Sequence, residues 1–182
     1  DPNQAEECFH RSLKLRDQSK PVDRQGMSYD HGGLGRLFLD RNDYERAEAN
    51  FCKGLSIAEE IADADSVRTL TSFLAGALEK QGKTQEAHDR YYKSYDLIER
   101  EVDSGAGKDK FFAVAGLLTT SARLSSPKVN EYGNLLASHL KDHDLRVRDV
   151  AERLREVLAA CEKQARTSWF GELVKLQNAE DM

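Results

Sequence analysis

The feature that most restricts this chain is a pattern that returns three times without gaps. It reads Ala5-x-x-x-Phe9-x-x-Ser12-Leu13, then Ala47-x-x-x-Phe51-x-x-Gly54-Leu55, then Ala87-x-x-x-Tyr91-x-x-Ser94. The offset between copies is 42 (5 to 47) and then 40 (47 to 87). A small residue, an aromatic four positions on and another small residue three further describe one face of an α-helix. Small residues let a neighbouring helix come close, and the aromatic fills the space beside them. Ahead of the second and third copies lies a matched pair, Leu34-Gly35-x-x-Phe38 and Leu74-Ala75-x-x-Leu78, each leucine thirteen positions before its alanine. Two helices per period, neither able to bury its face unaided, require successive units to stack around a continuous core.

The rest of the composition agrees with an all-α chain. Its 182 residues suffice for one compact domain or one run of stacked units. It is 32% charged and 39% hydrophobic, and its three prolines, Pro2, Pro21 and Pro127, all stand where a helix can begin. Strict apolar–polar alternation bounded by hairpin signals is missing, so no sheet is expected. A net charge of −5 and a pI near 5.6 speak against nucleic acid as a partner. The apolar runs are too short for a membrane span. Cys8, Cys52 and Cys161 are odd in number, far apart and set in apolar helical patterns. They read as small buried apolar residues in a reducing, cytoplasmic setting. The chain opens without Met, without a charged-then-apolar leader and partway through its own pattern. It therefore reads as a fragment of a longer protein.

Leu-Gly-x-x-Phe in one helix and Ala-x-x-x-Phe in the next resemble the tetratricopeptide repeat (TPR). The turns Asp40-Arg41-Asn42-Asp43-Tyr44 and Gln81-Gly82-Lys83-Thr84 supply helix stops and N-caps. Two positions depart from the family: His31 and Thr71 stand where its first helix has an early aromatic, and the trailing proline is missing. The spacing also exceeds the family's usual period of about 34 residues. That resembles the longer-repeat branch of kinesin light chains, spindle-orientation adaptors and the sensor regions of bacterial signalling ATPases. The resemblance covers about residues 1–103: 1–18 as the second helix of a truncated repeat, then full repeats over 21–62 and 65–103. Helices are predicted at 2–17, 21–40, 43–62, 65–81 and 84–103, the second opened by Ser19 or Lys20 before Pro21. Ser104-Gly105-Ala106-Gly107 forms a linker that ends the third repeat.

Residues 108–182 change character. Phe111, Phe112, Val114, Ala115, Leu117 and Leu118 predict a buried helix over 110–124, and Ser126-Pro127 starts another. The run Leu140-Lys141-Asp142-x-Asp144-x-x-Val147-Arg148-x-Val150-Ala151 resembles a HEAT repeat, with an Asp in the turn and Val-Arg opening the second helix. A degenerate tetratricopeptide unit is the other reading. A long helix from Asp144 to Thr167, mixed in charge, is expected to present a solvated outer face. Trp169, Phe170, Leu173, Val174 and Leu176 form either a cap on the stack or an exposed contact for the rest of a longer protein.

No catalytic pattern survives inspection. Gly107-Lys108 imitates the end of a phosphate loop, but Val102 replaces the first glycine, Asp109 replaces the Ser or Thr, and a helix precedes it where a strand is needed. Gly32-Gly33-Leu34-Gly35 lacks the third glycine of a dinucleotide fingerprint and lies within a helical pattern. His10, His31, His88, His139 and His143 form no strong ligand spacing, although His139 and His143 are four apart. Neither a cofactor nor enzymatic activity is expected.

The resemblance implies a right-handed α-solenoid of antiparallel helix pairs that binds a protein or peptide in a concave groove. Its groove is lined by the first helix of each repeat. That points to Tyr29, Gly32, Arg36 and Leu39, and to Thr69, Ser72, Gly76 and Glu79. Arg36 is the only cation in that set, so capture of a C-terminal carboxylate by a lysine clamp is disfavoured. Other domains of the same parent chain are equally admissible partners. Two alternatives follow from the same resemblances: a sensor or autoinhibitory arm of a repeat-bearing signalling ATPase or peptide-responsive regulator, and a HEAT-type nucleic-acid enzyme.

Overall fold

The structure, a computed structural model, describes residues 2–100, 107–142, 151–164 and 166–178. Among these residues lie nine α-helices, one 3₁₀ turn and no strand. The helices are α1 (Pro2–Asp17), α2 (Arg24–Asp40), α3 (Tyr44–Glu60), α4 (Ala64–Lys80), α5 (Thr84–Arg100), α6 (Gly107–Arg123), α7 (Val129–Asp142), α8 (Ala151–Ala160) and α9 (Ser168–Asn178). The chain is all-α, in two compact units, Asp1–Lys83 and Thr84–Met182. The helices expected as the third pair, α4 and α5, therefore belong to different units.

Unit 1 keeps a constant beat. α2, α3 and α4 each span 17 residues, and their first residues, Arg24, Tyr44 and Ala64, are evenly spaced. Asp23, Asp43 and Asp63 cap them, each side chain accepting from the backbone N–H three residues on. These caps hold the carboxyls below their ordinary range. For Asp23 and Asp63 the backbone N–H of Gly26 and of Ser66 is the largest cause, and for Asp43 it is the Arg46 side chain. The helix ends repeat too. Asn42, Ala62 and Gly82 all take the left-handed conformation, with φ of 60°, 56° and 78°. The next residue's N–H then reaches back to the carbonyls of Phe38, Ala58 and Leu78, at 2.9, 2.9 and 3.0 Å. This is the Schellman ending, which reverses the chain within three residues.

The reversals make successive helices antiparallel. Between α2 and α3, Phe38 meets Arg46, Gly35 meets Phe51, His31 meets Asn50 and Ser28 meets Gly54. Between α3 and α4, Glu48 meets Gln81, Phe51 meets Phe73 and Gly54 meets Leu70. Leu34, Ala47, Phe51, Ala58, Leu74, Ala75 and Ala77 form the buried interior. α2 starts later than expected, at Arg24 and not at Pro21. The Ser19 hydroxyl is engaged in closing α1, donating to the Arg16 carbonyl (2.6 Å) and accepting from the Asp23 N–H (3.0 Å), so capping falls to Asp23.

Unit 2 starts the same way and then loses the beat. α5 packs antiparallel on α6, with His88 by Thr120, Tyr91 by Gly116 and Tyr95 by Lys110. α6 is buried on all sides: Phe111, Ala113, Val114, Ala115, Leu117, Leu118, Thr120 and Ser121 are each fully enclosed. Thr120 satisfies its hydroxyl by donating to the Gly116 carbonyl one turn back (2.7 Å). α6 ends with left-handed Ser125 (φ 53°), and Pro127 lies two residues ahead of α7. On α8, Leu154 and Val157, with Cys161 just beyond its end, make a buried stripe, so this helix is not a wholly solvated face. It stops at Ala160 and a 3₁₀ turn, Glu162–Gln164, follows, where the sequence suggested helix as far as Thr167. Trp169 lies inward against Gly133 of α7 and donates from Nε1 to the Asn130 side chain (3.1 Å). The Asp144, Val147 and Arg148 of the HEAT-like turn and residues 104–106 of the glycine linker lie outside the described residues.

Candidate functional site

Because the chain reverses twice between them, α2 and α4 run parallel. Gln25 lies beside Asp63 (3.4 Å), a Cβ on Gly32 would stand 3.0 Å from Leu70 Cδ2, and Arg36 lies over the Phe73 ring (5.4 Å to its centre). Each partner follows the first at an offset of 37 or 38 (25 to 63, 32 to 70, 36 to 73). The offset is nearly constant from Gln25 to Arg36, so the two helices keep a parallel register over that stretch.

The expected groove residues fall on one line along each of these helices: 29, 32, 36 and 39 on α2, and 69, 72, 76 and 79 on α4. They are not equally available. Tyr29 is 55% exposed and Arg36 is exposed. Leu39, Thr69, Ser72 and Gly76 are half-buried. Gly32 and Glu79 are buried, so neither offers a side chain to a ligand. For Gly32 the reason is α4: the close approach of Leu70 uses the space that the missing side chain leaves.

Neighbours complete the surface. Gln25, one turn before Tyr29, donates to its hydroxyl oxygen (3.2 Å) and to Asp63. Asp63 thus serves twice, as the cap of α4 and as an acceptor beside Tyr29. Its carboxyl is held low first by the Ser66 N–H, then by the Ser66 hydroxyl, Gln25 and Tyr29, with burial opposing. Gln25 could have been found from its i, i+4 relation to Tyr29; Asp63 and Phe73 come from the next repeat and need the fold. The result is an amide, a phenol and a carboxylate at one end and a guanidinium over an aromatic ring at the other. Such groups can donate and accept hydrogen bonds.

His31 is half-buried between α2 and α3, its Nδ1 3.2 Å from Asn50 Oδ1, and burial lowers its pKa. His88 is lowered for the same reason and lies 2.9 Å from Thr120 Oγ1. His139 is buried, and His143 lies outside the described residues. Cys161 is buried and its thiol is pushed up to about 11. Cys8 and Cys52, expected to be buried, are exposed: they occupy the flank of the repeat pattern and not its small-residue positions. Among the described residues no three His, Cys, Asp or Glu side chains converge as a metal site, and no helix is long and apolar enough to cross a membrane.

No family model matches the chain, and no curated protein matches it. Solved structures do. One is the crystal structure of BtubC (BKLC) from P. vanneervenii, 15% identical, with 99% of this chain and 92% of that chain covered and a TM-score of 0.49.

Proposed function

We propose that this chain is a protein–protein interaction scaffold, an α-solenoid of antiparallel helix pairs akin to tetratricopeptide proteins, which binds a peptide or helix of a partner along α2 and α4. The observation that carries this reading is the parallel α2–α4 register with Tyr29 and Arg36 exposed on its line and Gly32 between them. Seven residues apart on a helix, Tyr29 and Arg36 stand about 10 Å from one another as two exposed anchors. Tyrosine and arginine are also the residues that most often anchor interfaces. Gln25, Asp63 and Arg36 add donors and acceptors of both signs.

The test is selection of short random peptides on the chain, followed by titration against the Tyr29→Ala, Arg36→Glu double variant. Both side chains project from a folded helix, so the variant should keep its circular dichroism spectrum. Affinity should fall by tenfold or more, about 1.4 kcal/mol. Peptides that bind the variant equally well would show that this face is not the site.

A further inference from the structure

The face made by α2 and α4 carries two charges of opposite sign that the described residues do not answer, one toward each end. At the end where both helices begin, Arg24 is paired with Glu60 and Arg68 with Asp65 (3.1 Å). Asp63 is different. Its carboxylate accepts from the Ser66 N–H (3.1 Å), the Ser66 hydroxyl (2.8 Å), Gln25 (3.4 Å) and Tyr29, all of them neutral donors. No cation pairs with it among the described residues. The donors hold its carboxyl below the ordinary range, so the negative charge persists at neutral pH.

Arg36 is the reverse case. It is exposed, and among the described residues no carboxylate pairs with it, Asp40 one helical turn on included. Yet it is held in place. Its guanidinium lies over the Phe73 ring (5.4 Å to the centre), Phe73 stacks on Phe51 (5.7 Å between centres), and fully buried Phe51 lies on Gly35. A cation resting on a column of rings rooted in the core gives up little freedom when it takes a carboxylate. The planar fork of its N–H groups suits that anion with two parallel bonds.

Tyr29 completes the other end. Its ring is 55% exposed, but its hydroxyl accepts from Gln25 (3.2 Å) and is turned to Asp63. The ring, and not the hydroxyl, is therefore what Tyr29 offers a partner. An aromatic face beside an ionised carboxylate attracts a cation.

We infer that the segment bound on this face carries a basic side chain, lysine or arginine, over Tyr29 and Asp63, and an acidic one, aspartate or glutamate, on Arg36. The inference rests on the reading of this face as a peptide site and adds the charge order of the ligand. Tyr29 and Arg36 lie about 10 Å apart, which is the length of roughly three extended residues or two helical turns of the bound segment.

The probe is the tightest binder from random peptides selected on the whole chain, made also with its acid replaced by lysine and with its base replaced by glutamine. By fluorescence anisotropy, Arg36→Glu should weaken the parent peptide tenfold or more. The peptide with lysine in place of its acid should recover most of that loss, because the attraction returns with its signs exchanged. Asp63→Asn keeps the cap of α4, since asparagine caps as well as aspartate. It should weaken the parent peptide about threefold, the size of an exposed ion pair, and leave the glutamine version unchanged. Three results overturn the inference: selected peptides that lack the charge pair, no recovery in the reversed combination, or indifference to Asp63→Asn. If those peptides still lose binding to the Tyr29→Ala, Arg36→Glu variant, the site stands and only its charge order falls; if no peptide is selected, both fall. A dimer in sedimentation that Arg36→Glu dissolves would give the face to a second copy and overturn the inference too.

Discussion

Both units use one packing device, but only unit 1 repeats it in time. The device is a glycine beneath an aromatic ring: Gly33 under Phe9 and Gly35 under Phe51 in unit 1, Gly116 under Tyr91 and Gly133 under Trp169 in unit 2. In unit 1 it comes with helices of one length and with Asp caps and left-handed turn residues that recur at one constant step. In unit 2 α5 and α7 start 45 residues apart (84 to 129), against 40 for α2 and α4 (24 to 64). The lesson is a division of labour. Glycine–aromatic contacts fix the register of four helix pairs, and caps and turns decide how regularly the pairs follow one another.

The largest test of that division is in the rings. Phe51→Ala should destabilise unit 1 by about 3–5 kcal/mol, and Phe9→Ala, at a half-buried ring, by less than half as much; chemical denaturation of both variants makes the comparison. Trp169→Ala should cost unit 2 about as much as Phe51→Ala costs unit 1, which would show the device to be equally strong off the beat. Next come the caps. Asp63→Ala should lose roughly 1 kcal/mol of stability without changing which helices pair, read by denaturation together with amide chemical shifts. The turns give smaller changes of opposite sign. Ala62→Gly relieves a left-handed alanine and should gain about 0.5 kcal/mol, whereas Gly82→Ala should lose roughly 1 kcal/mol.

The smallest effect is on pH dependence. Burial lowers His31, so between its folded value and the ordinary 6.5 the unfolded chain binds the extra proton. Stability is complete above 6.5 and declines as pH falls through that value. His88 has the same sign in unit 2. His31→Tyr should remove the unit 1 share of the decline, visible as a smaller drop in Tm between neutral and mildly acidic buffer.

Much of this was legible in the sequence. The Ala-x-x-x-aromatic pattern identified α1, α3 and α5, and the Leu-Gly/Ala pattern α2 and α4, because those residues pack on period and the period is written in them. The caps were half legible. Asp43 stands directly before its helix, but Ser19 and Pro21 imitate a start that the closing of α1 pre-empts. Gly32 and Glu79 were placed on the groove line by helical phase, which gives direction but not depth; the approach of Leu70 to Gly32 belongs to another repeat. Cys8 misled for the same reason, since an apolar setting in the helix does not say whether a neighbour covers it. Gly116 answers Tyr91 at almost the interval at which Gly33 answers Phe9, an offset of 25 (91 to 116) against 24 (9 to 33). That correspondence was hidden because α6, enclosed on every side, carries no polar face to give its period contrast.

The glycine beneath each ring also acts as a proofreader. If α2 slid along α3 by one residue in either direction, Leu34 or Arg36 would be driven into the space that Phe51 occupies against Gly35. An oily interface tolerates many neighbouring alignments of nearly equal energy, but an interface with one bare position under one bulky ring tolerates a single alignment. The chain thereby converts a weak, non-directional attraction into a digital choice of register at the α1–α2, α2–α3, α5–α6 and α7–α9 pairs.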